Sequence, residues 1–193
     1  MSNNNKDSIT NVWIFGYGSL MWDSWETQFQ GTCKGKAKLK GYHRSFNKKS
    51  IRNWGTRDVP CPTLGLEKSN GAECVGLVFK FNNNQREAIE VYLKKREGES
   101  FQLVEIEVKL EGGQKEMVLT SINRPEMSTY IDNTNFNTLV DMVLNASGKD
   151  GSCFEYIQNI HIKCKELEIK DEYVQKMWEE INYDVPTPKE VLE

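Results

Sequence analysis

Histidine is scarce in this chain of 193 residues, and its cysteines are scattered. The two histidines, His43 and His161, make a multi-imidazole metal site or a Ser-His-Asp triad an unpromising prediction. The five cysteines are an odd number, and no two of them stand in a Cys-x-x-Cys spacing. We therefore expect neither a disulfide framework nor a cysteine-rich zinc site, and we expect a reducing cytoplasm as the compartment.

Long apolar runs and basic stripes are also missing. No stretch approaches the ~20 apolar residues that a transmembrane helix needs, and the polar N-terminus lacks the apolar segment of a secretory signal. Lys and Arg number 25 against 28 Asp and Glu, for a net charge of −3 with both signs interspersed. Because nothing is arranged to neutralise phosphates or anionic lipids, we predict neither a nucleic acid nor a membrane as partner.

Aromatic residues, by contrast, are plentiful. They make up 10% of the chain, and a chain of this length buries roughly 70% of the surface that it exposes when unfolded. We predict one domain over residues 11–183, with a disordered N-terminal tail over residues 1–10 and a C-terminal tail over residues 184–193. Neither a Gly-x-Gly-x-x-Gly run nor a P-loop is present, so nucleotide binding through those motifs is not supported.

Apolar alternation and turn residues predict an α+β fold. Strands are expected over residues 12–17, 33–46, 63–67, 74–81, 101–110 and 116–122, and helices over residues 85–95, 136–146, 153–164 and 172–181. Gly112-Gly113 closes a hairpin between the last two strands, and residues 47–62 are expected to form a long loop. Neighbouring hairpins rather than repeated βα units favour α+β over a doubly wound sheet.

A glycine-rich run, FGYGSL at residues 15–20, follows the first predicted strand and is the first candidate site. Glycine permits a close backbone approach to a ligand, and successive N–H groups in such a turn can accept an anion. The alternative is an ordinary tight turn around a buried aromatic residue, because glycine-rich turns are common.

The second candidate is Arg96-Glu97, which directly follows the helix predicted over residues 85–95 and precedes Gly98. A carboxylate at this end of a helix is electrostatically unfavourable. If such a carboxylate is also withdrawn from water, it holds a proton more readily and suits general acid–base catalysis. The alternative is a solvated charge cluster, since glutamate is mostly exposed in proteins.

These motifs together resemble one protein family. Residues 12–22, VWIFGYGSLMW, are similar to the N-terminal signature of the ChaC-type γ-glutamylcyclotransferases. The similarity continues at Gly41-Tyr42, at residues 44–46 and at CVGLVF over residues 74–79. It is sharpest where residues 92–97 match the family's Tyr-Leu-x-x-Arg-Glu, and it is weaker at residues 155–157. The matches span residues 12–165 in the family's order.

The resemblance implies a small mixed β-barrel with surrounding helices and a reaction that needs no metal or cofactor. The γ-glutamyl amide of glutathione is cyclised to 5-oxoproline, and cysteinylglycine is released. Glu97 matches the catalytic glutamate, and Tyr156 matches a tyrosine that contacts the substrate. The residues that match the loop holding the γ-glutamyl group are Tyr17, Gly18, Ser19 and Leu20.

Two segments depart from the family's pattern. Residues 98–101 read GESF where the family has one residue and then Gly-Gly-Tyr, and residues 53–60 also differ. Glu99 is therefore a rival carboxylate, although Glu97 is favoured because it directly follows Arg96. Other γ-glutamyl compounds remain alternative substrates, and a non-catalytic module that binds a small ligand remains an alternative function. No self-association surface is evident, so a monomer is the default expectation.

Overall fold

Seven strands and four α-helices are present in residues 11–132 and 134–183, which are the residues that this computed structural model describes. The strands are β1 Asn11–Gly16, β2 Thr32–Ser50, β3 Cys61–Asn82, β4 Phe101–Leu110, β5 Lys115–Asn123, β6 Ser147–Gly148 and β7 Gly151–Ser152. The helices are α1 Arg86–Glu97, α2 Phe136–Asn145, α3 Cys153–Glu166 and α4 Glu172–Tyr183. Three short 3-10 helices cover Ser19–Met21, Trp25–Phe29 and Asn83–Gln85.

The chain divides into two compact units. The first unit comprises Met1–Lys40 and Glu73–Ile122, and the second comprises Gly41–Ala72 and Asn123–Glu193. The single domain predicted over residues 11–183 stays a prediction, and both predicted tails lie outside the described residues. None of the helices in the described residues is long and apolar enough to cross a membrane.

A closed barrel is formed by five strands in the order β1-β3-β2-β4-β5. Strand β1 runs antiparallel to β3 and parallel to β5, which it meets at Ile14 opposite Leu119. Strand β2 runs antiparallel to β4, with Ala37 opposite Leu110. All of these pairs lie in the first unit. The predicted α+β class and mixed barrel are therefore confirmed.

Backbone packing between β1 and β3 depends on glycine. A Cβ atom added to Gly76 would overlap the carbonyl oxygen of Gly16 and would also press on the ring of Phe15. Because the obstacle is backbone, it cannot move aside as a flexible side chain would. Gly76 therefore keeps β3 close to the end of β1, where the glycine-rich run begins.

An aromatic cluster fills the first unit beside α1. The Trp25 side chain is 1% exposed and stacks on Tyr92, with 5.8 Å between ring centroids and 6° between ring planes. The rings of Phe29, Phe79 and Phe81 surround it. These contacts attach the segment after the glycine-rich run to α1 and β3, and no sequence pattern predicted the 3-10 helix that carries Trp25.

Helix α1 extends two residues beyond its predicted end. The Asn82 side chain accepts a hydrogen bond from the Asn84 backbone N–H at 3.1 Å, which starts the 3-10 turn before the helix. The helix ends at Glu97, and Gly98 has a φ of +74°. Its N–H donates to the Lys94 carbonyl at 2.9 Å. The positive φ explains why a glycine stops the helix directly after Glu97.

Strand β3 corrects a sequence prediction. Residues 63–67 and 74–81 were expected as two strands, but a single strand runs over Cys61–Asn82. Its middle carries exposed polar residues such as Glu67, Lys68 and Asn70. A polar middle hides the apolar alternation from which strands are predicted, while backbone pairing does not need buried side chains.

The second unit contains a packed group of three helices, α2, α3 and α4. Their buried apolar residues are Leu139, Val140, Val143, Ile157, Ile160, Val174, Met177 and Ile181. Helix α3 begins with a capping box, in which Ser152 accepts from the Glu155 N–H and Glu155 accepts from the Ser152 N–H. The helices predicted from periodicity are confirmed in this region.

A disulfide bond joins Cys61, the first residue of β3, to Cys153, the first residue of α3. Both residues are fully buried, and the cysteines without a disulfide are Cys33, Cys74 and Cys164. The expectation that disulfides are absent is wrong for this pair. The partners are 92 residues apart in the chain, so only the fold brings them together.

Candidate active site

The glycine-rich run leads from β1 into the 3-10 helix Ser19–Met21. The Tyr17 side chain is buried, and its hydroxyl donates to the Ser121 carbonyl at 2.9 Å. Leu20 is also buried, and its carbonyl accepts from the indole N–H of Trp25 at 3.2 Å. The Met21 N–H donates to the Gly18 carbonyl at 2.9 Å. The run is thus an ordered turn with fixed contacts on both sides.

Arg96 connects this turn to α1. Its Nη2 donates to the Ser19 hydroxyl at 2.9 Å, and its Nη1 donates to the Tyr92 hydroxyl at 3.0 Å. The same Nη1 pairs with the Asp23 carboxylate, and the side chains of Arg96 and Asp23 are 18% and 35% exposed. Burial opposes the charge of Arg96, but Asp23 and Tyr92 outweigh it and raise the guanidinium pKa above its usual value.

Glu97 is the last residue of α1 and is half-buried, while Glu99 lies in the following turn and is exposed. Glu97 directly follows Arg96, whose side chain contacts Ser19. The structure therefore brings the two predicted motifs of the first unit together through Arg96 and Ser19. Glu97 is the candidate carboxylate that belongs to the helix making this contact.

Two hydroxyl residues on β5 were missed by the sequence analysis. Thr120 donates from Oγ1 to the Phe15 carbonyl at 3.0 Å. Ser121, whose carbonyl receives the Tyr17 hydroxyl, is 5% exposed, and its own Oγ has no hydrogen-bond partner among the described residues. The signal was a pair of hydroxyl residues between the apolar residues Leu119 and Ile122, and its meaning depended on knowing that β5 lies beside β1.

Tyr156 lies on α3 in the second unit. It is 3% exposed, and its hydroxyl accepts a hydrogen bond from the Leu64 N–H at 3.0 Å. Its ring lies 5.5 Å from that of Trp54, centroid to centroid. The loop carrying Trp54 is held by backbone bonds from Lys149 and Asp150 to the carbonyls of residues 52 and 53. Tyr156 therefore sits against one of the segments that departs from the family's pattern.

A cavity of about 200 Å³ also lies in the second unit. Its lining includes the carboxylates of Glu67 and Asp132 and the rings of Tyr130 and Tyr173. Burial, followed for Tyr130 by the nearby carboxylates, raises the pKa of both tyrosines. None of the predicted site residues lines this cavity. In the described residues, no group of three or more metal-ligating side chains is present.

Comparison with known proteins identifies the family. The family model described as ChaC-like protein matches residues 12–184. The chain belongs to the ChaC-like family. The match contains both the glycine-rich run and the Arg-Glu pair, so the resemblance inferred from those motifs is confirmed.

Relatives of this ChaC-like protein carry cyclotransferase names. It is 26% identical over 189 residues to gamma-glutamylcyclotransferase 2-1 of Arabidopsis thaliana, with 93% of this chain and 86% of the relative covered. It is 27% identical over 163 residues to the glutathione-specific gamma-glutamylcyclotransferase of Escherichia coli K12, with 83% and 68% covered. A crystal structure of a yeast gamma-glutamyl cyclotransferase specific to glutathione superposes with a TM-score of 0.82 at 17% identity, covering 90% of this chain and 96% of that one. The structural likeness establishes the shared fold.

Proposed function

We propose that this ChaC-like protein is a γ-glutamylcyclotransferase, a lyase that converts glutathione to 5-oxoproline and cysteinylglycine. The single observation that carries the proposal is the Arg96–Ser19 contact, which joins the glycine-rich turn to the helix end that bears Glu97. Both partners belong to motifs that resemble the family's signature. The names of the relatives from Arabidopsis thaliana and Escherichia coli support the same reaction and, for the bacterial relative, the same substrate.

The proposed chemistry needs one carboxylate. Glu97 removes a proton from the α-ammonium group of the substrate, and the freed amine attacks the γ-carbonyl carbon within the same molecule. The C–N bond to cysteine then breaks as Glu97 returns this proton to the leaving nitrogen. The attacking nitrogen gives up its second proton to the released amine, so that 5-oxoproline keeps one N–H and cysteinylglycine leaves with an ammonium group. Proximity is built into this ring closure, so positioning and proton transfer are the enzyme's main tasks. The reaction is proposed without a metal or cofactor.

The glycine-rich turn is proposed to hold the γ-glutamyl group. We assign this role to Tyr17, Gly18, Ser19 and Leu20, whose N–H groups are suited to the α-carboxylate or to the oxyanion that forms during attack. Tyr156 remains a proposed substrate contact on the basis of its motif.

The decisive experiment compares two neighbouring carboxylates. The purified protein is incubated with glutathione, and 5-oxoproline and cysteinylglycine are quantified by mass spectrometry. We expect Glu97→Gln to lower kcat by about 10²–10⁴-fold, because a general acid–base group contributes on that scale. Glu99→Gln is the matched comparison and should retain most of the activity.

Other outcomes separate the alternatives. If Glu99→Gln rather than Glu97→Gln abolishes turnover, the assignment of the acid–base group is wrong. If glutathione gives no product but another γ-glutamyl amino acid or γ-glutamylamine does, the reaction stands and the substrate changes. If neither glutathione nor any of these other γ-glutamyl compounds is turned over while glutathione binds, the protein is a binding module. The cytoplasmic setting and the monomeric state are further parts of the proposal, and fractionation and light scattering test them.

A further inference from the structure

We infer that Arg96 is a positioning residue of the proposed active site, which fixes the glycine-rich turn to the C-terminal end of α1. The inference deepens the proposed function and rests on it. Arg96 is not assigned a contact with the substrate. Its role is to act through Ser19 and Asp23 on the turn, and through the helix on the neighbouring Glu97.

The geometry places Arg96 between three acceptors from different parts of the first unit. Ser19 lies in the 3-10 helix, Asp23 lies two residues beyond that helix, and Tyr92 lies one turn earlier on α1. The guanidinium therefore bonds to both ends of the segment 19–23, and the Tyr92 hydroxyl on the same helix fixes its orientation.

Only an arginine provides this set of bonds. The guanidinium is planar and presents five N–H donors in fixed directions, whereas a lysine ammonium is a compact point charge on a flexible stem. A lysine at position 96 keeps the positive charge near Asp23 but does not reproduce the simultaneous bonds to Ser19 and Tyr92. Substitution by lysine thus separates the charge of Arg96 from its geometry.

Trp25 also holds the same segment, through contacts that do not involve the Arg96 side chain. Trp25 stacks on Tyr92, and its indole N–H donates to the Leu20 carbonyl. Because these contacts persist without Arg96, we expect the variant to fold with a looser turn. Looseness matters at a catalytic site, since a displacement of about 1 Å costs on the order of 10²-fold in rate.

The kinetic test uses Arg96→Lys with Arg86→Lys as its control. Arg86 lies at the other end of α1, is more exposed, and pairs with Glu90 and Glu105 away from the turn. For glutathione turnover we expect Arg96→Lys to lower kcat by about 10–100-fold while KM changes less than about threefold, as for an interaction made in the transition state. Arg86→Lys should stay within about twofold of wild type.

A double substitution tests whether Arg96 acts through Ser19. Ser19→Ala alone should lower kcat less than Arg96→Lys does. Combined with Arg96→Lys, it should add less than its single effect, because both changes remove the same hydrogen bond. Fully additive effects on kcat would show that the two side chains act independently and would overturn the inference.

Hydrogen exchange gives a readout that does not need turnover. The Met21 and Trp22 amides bond to the carbonyls of Gly18 and Ser19, so their exchange reports the order of the turn. We expect about tenfold faster exchange at these amides in Arg96→Lys and no change in Arg86→Lys. If wild-type protein turns over no γ-glutamyl compound, the proposed function fails, and this measurement still decides whether Arg96 orders the turn.

Three further results would overturn the inference. Unchanged exchange and unchanged kcat in Arg96→Lys would show that Arg96 positions nothing. A raised KM with kcat intact would show that Arg96 supports substrate binding and not the positioning of the reacting groups. Equal losses in Arg96→Lys and Arg86→Lys would show a general effect of altering α1.

Discussion

Each of the two units contains an arginine–aspartate pair, and the two pairs differ in their exposure to water and in the other groups that they contact. In the second unit Arg44 bonds Asp171 at 2.9 Å, and these side chains are 0% and 14% exposed. Asp171 also accepts from the Val174 N–H at 3.1 Å, which caps α4. In the first unit Arg96 and Asp23 are more exposed, and Arg96 divides its donors between a carboxylate and two hydroxyls.

Because the two pairs differ in burial, we expect one to affect mainly the stability of the protein and the other mainly its activity. A buried charge that loses its partner has little access to water, so removing one member of a buried pair lowers the free energy of unfolding strongly. A partly exposed pair loses less when it is broken, because water replaces part of the missing contact. We therefore expect the Arg44–Asp171 pair to matter mainly for the free energy of unfolding, and the Arg96–Asp23 pair mainly for activity.

The largest effect on stability is expected for Arg44→Ala. Removing one partner of a buried pair costs about 3–5 kcal/mol, because Asp171 is left without its countercharge. Chemical denaturation measures the loss, and Arg124→Ala, at an exposed pair with Glu126, is the control with an expected loss below about 1 kcal/mol. If Arg96→Lys lowers the free energy of unfolding as much as Arg44→Ala does, the comparison between the pairs fails.

The next largest effect is expected at the disulfide of the second unit. Replacing Cys61 and Cys153 by serine should lower the free energy of unfolding by about 2–4 kcal/mol, because the unfolded chain is released from a long covalent loop. Cys33→Ser, at an exposed cysteine without a disulfide, should leave it unchanged. Equal stability of the double variant and wild type in oxidising buffer would contradict a stabilising disulfide.

The smallest effect is expected at the capping box of α3. Ser152→Ala should lower the free energy of unfolding by about 1 kcal/mol, the usual cost of a lost N-cap. Denaturation midpoints at neutral pH measure it, with Asn145→Ala, an exposed residue at the end of α2, as the control. A loss comparable to that of Arg44→Ala would mean that the cap rather than the ion pair dominates the second unit.

The pH dependence of this cap has a definite sign. Hydrogen bonds from the Ser152 backbone N–H and then from its hydroxyl lower the pKa of Glu155. A carboxyl group whose pKa is lowered on folding stabilises the protein above its unfolded-state pKa, and this stabilisation is lost as the pH falls through the folded-state value. The difference in stability between wild type and Glu155→Gln should therefore be present at pH 7 and vanish in acid. A constant difference from pH 7 down to pH 2 would contradict this.

Local patterns predicted much of the secondary structure. The β4–β5 hairpin follows from alternation over residues 101–110 and from Gly112-Gly113, and Gly113 adopts a φ of +89° in the turn. Helices α2, α3 and α4 follow from apolar periodicity and cap residues, since each buries one face. In these segments the residues that determine the secondary structure lie within a few positions of one another in the sequence.

Contacts between distant segments were beyond such patterns. The Cys61–Cys153 bond spans 92 residues, and no spacing rule links its partners. The same holds for the candidate site. Motifs pointed to residues 17–20 and to Glu97, but the contact of Arg96 with Asp23 joins residues 73 positions apart. Because charged residues are common on every protein surface, the sequence alone does not indicate which aspartate pairs with Arg96, and the folded structure is needed to identify it.

The contact between Gly76 and Gly16 has a consequence for how this sequence can change over generations. A clash between two side chains is relieved by shortening either one, so a substitution at one such position can be compensated by a substitution at the other. The obstacle to a side chain at position 76 is the carbonyl oxygen of residue 16, which every amino acid carries. No substitution at another position removes that atom. Position 76 therefore accepts only glycine for as long as β1 and β3 keep their spacing.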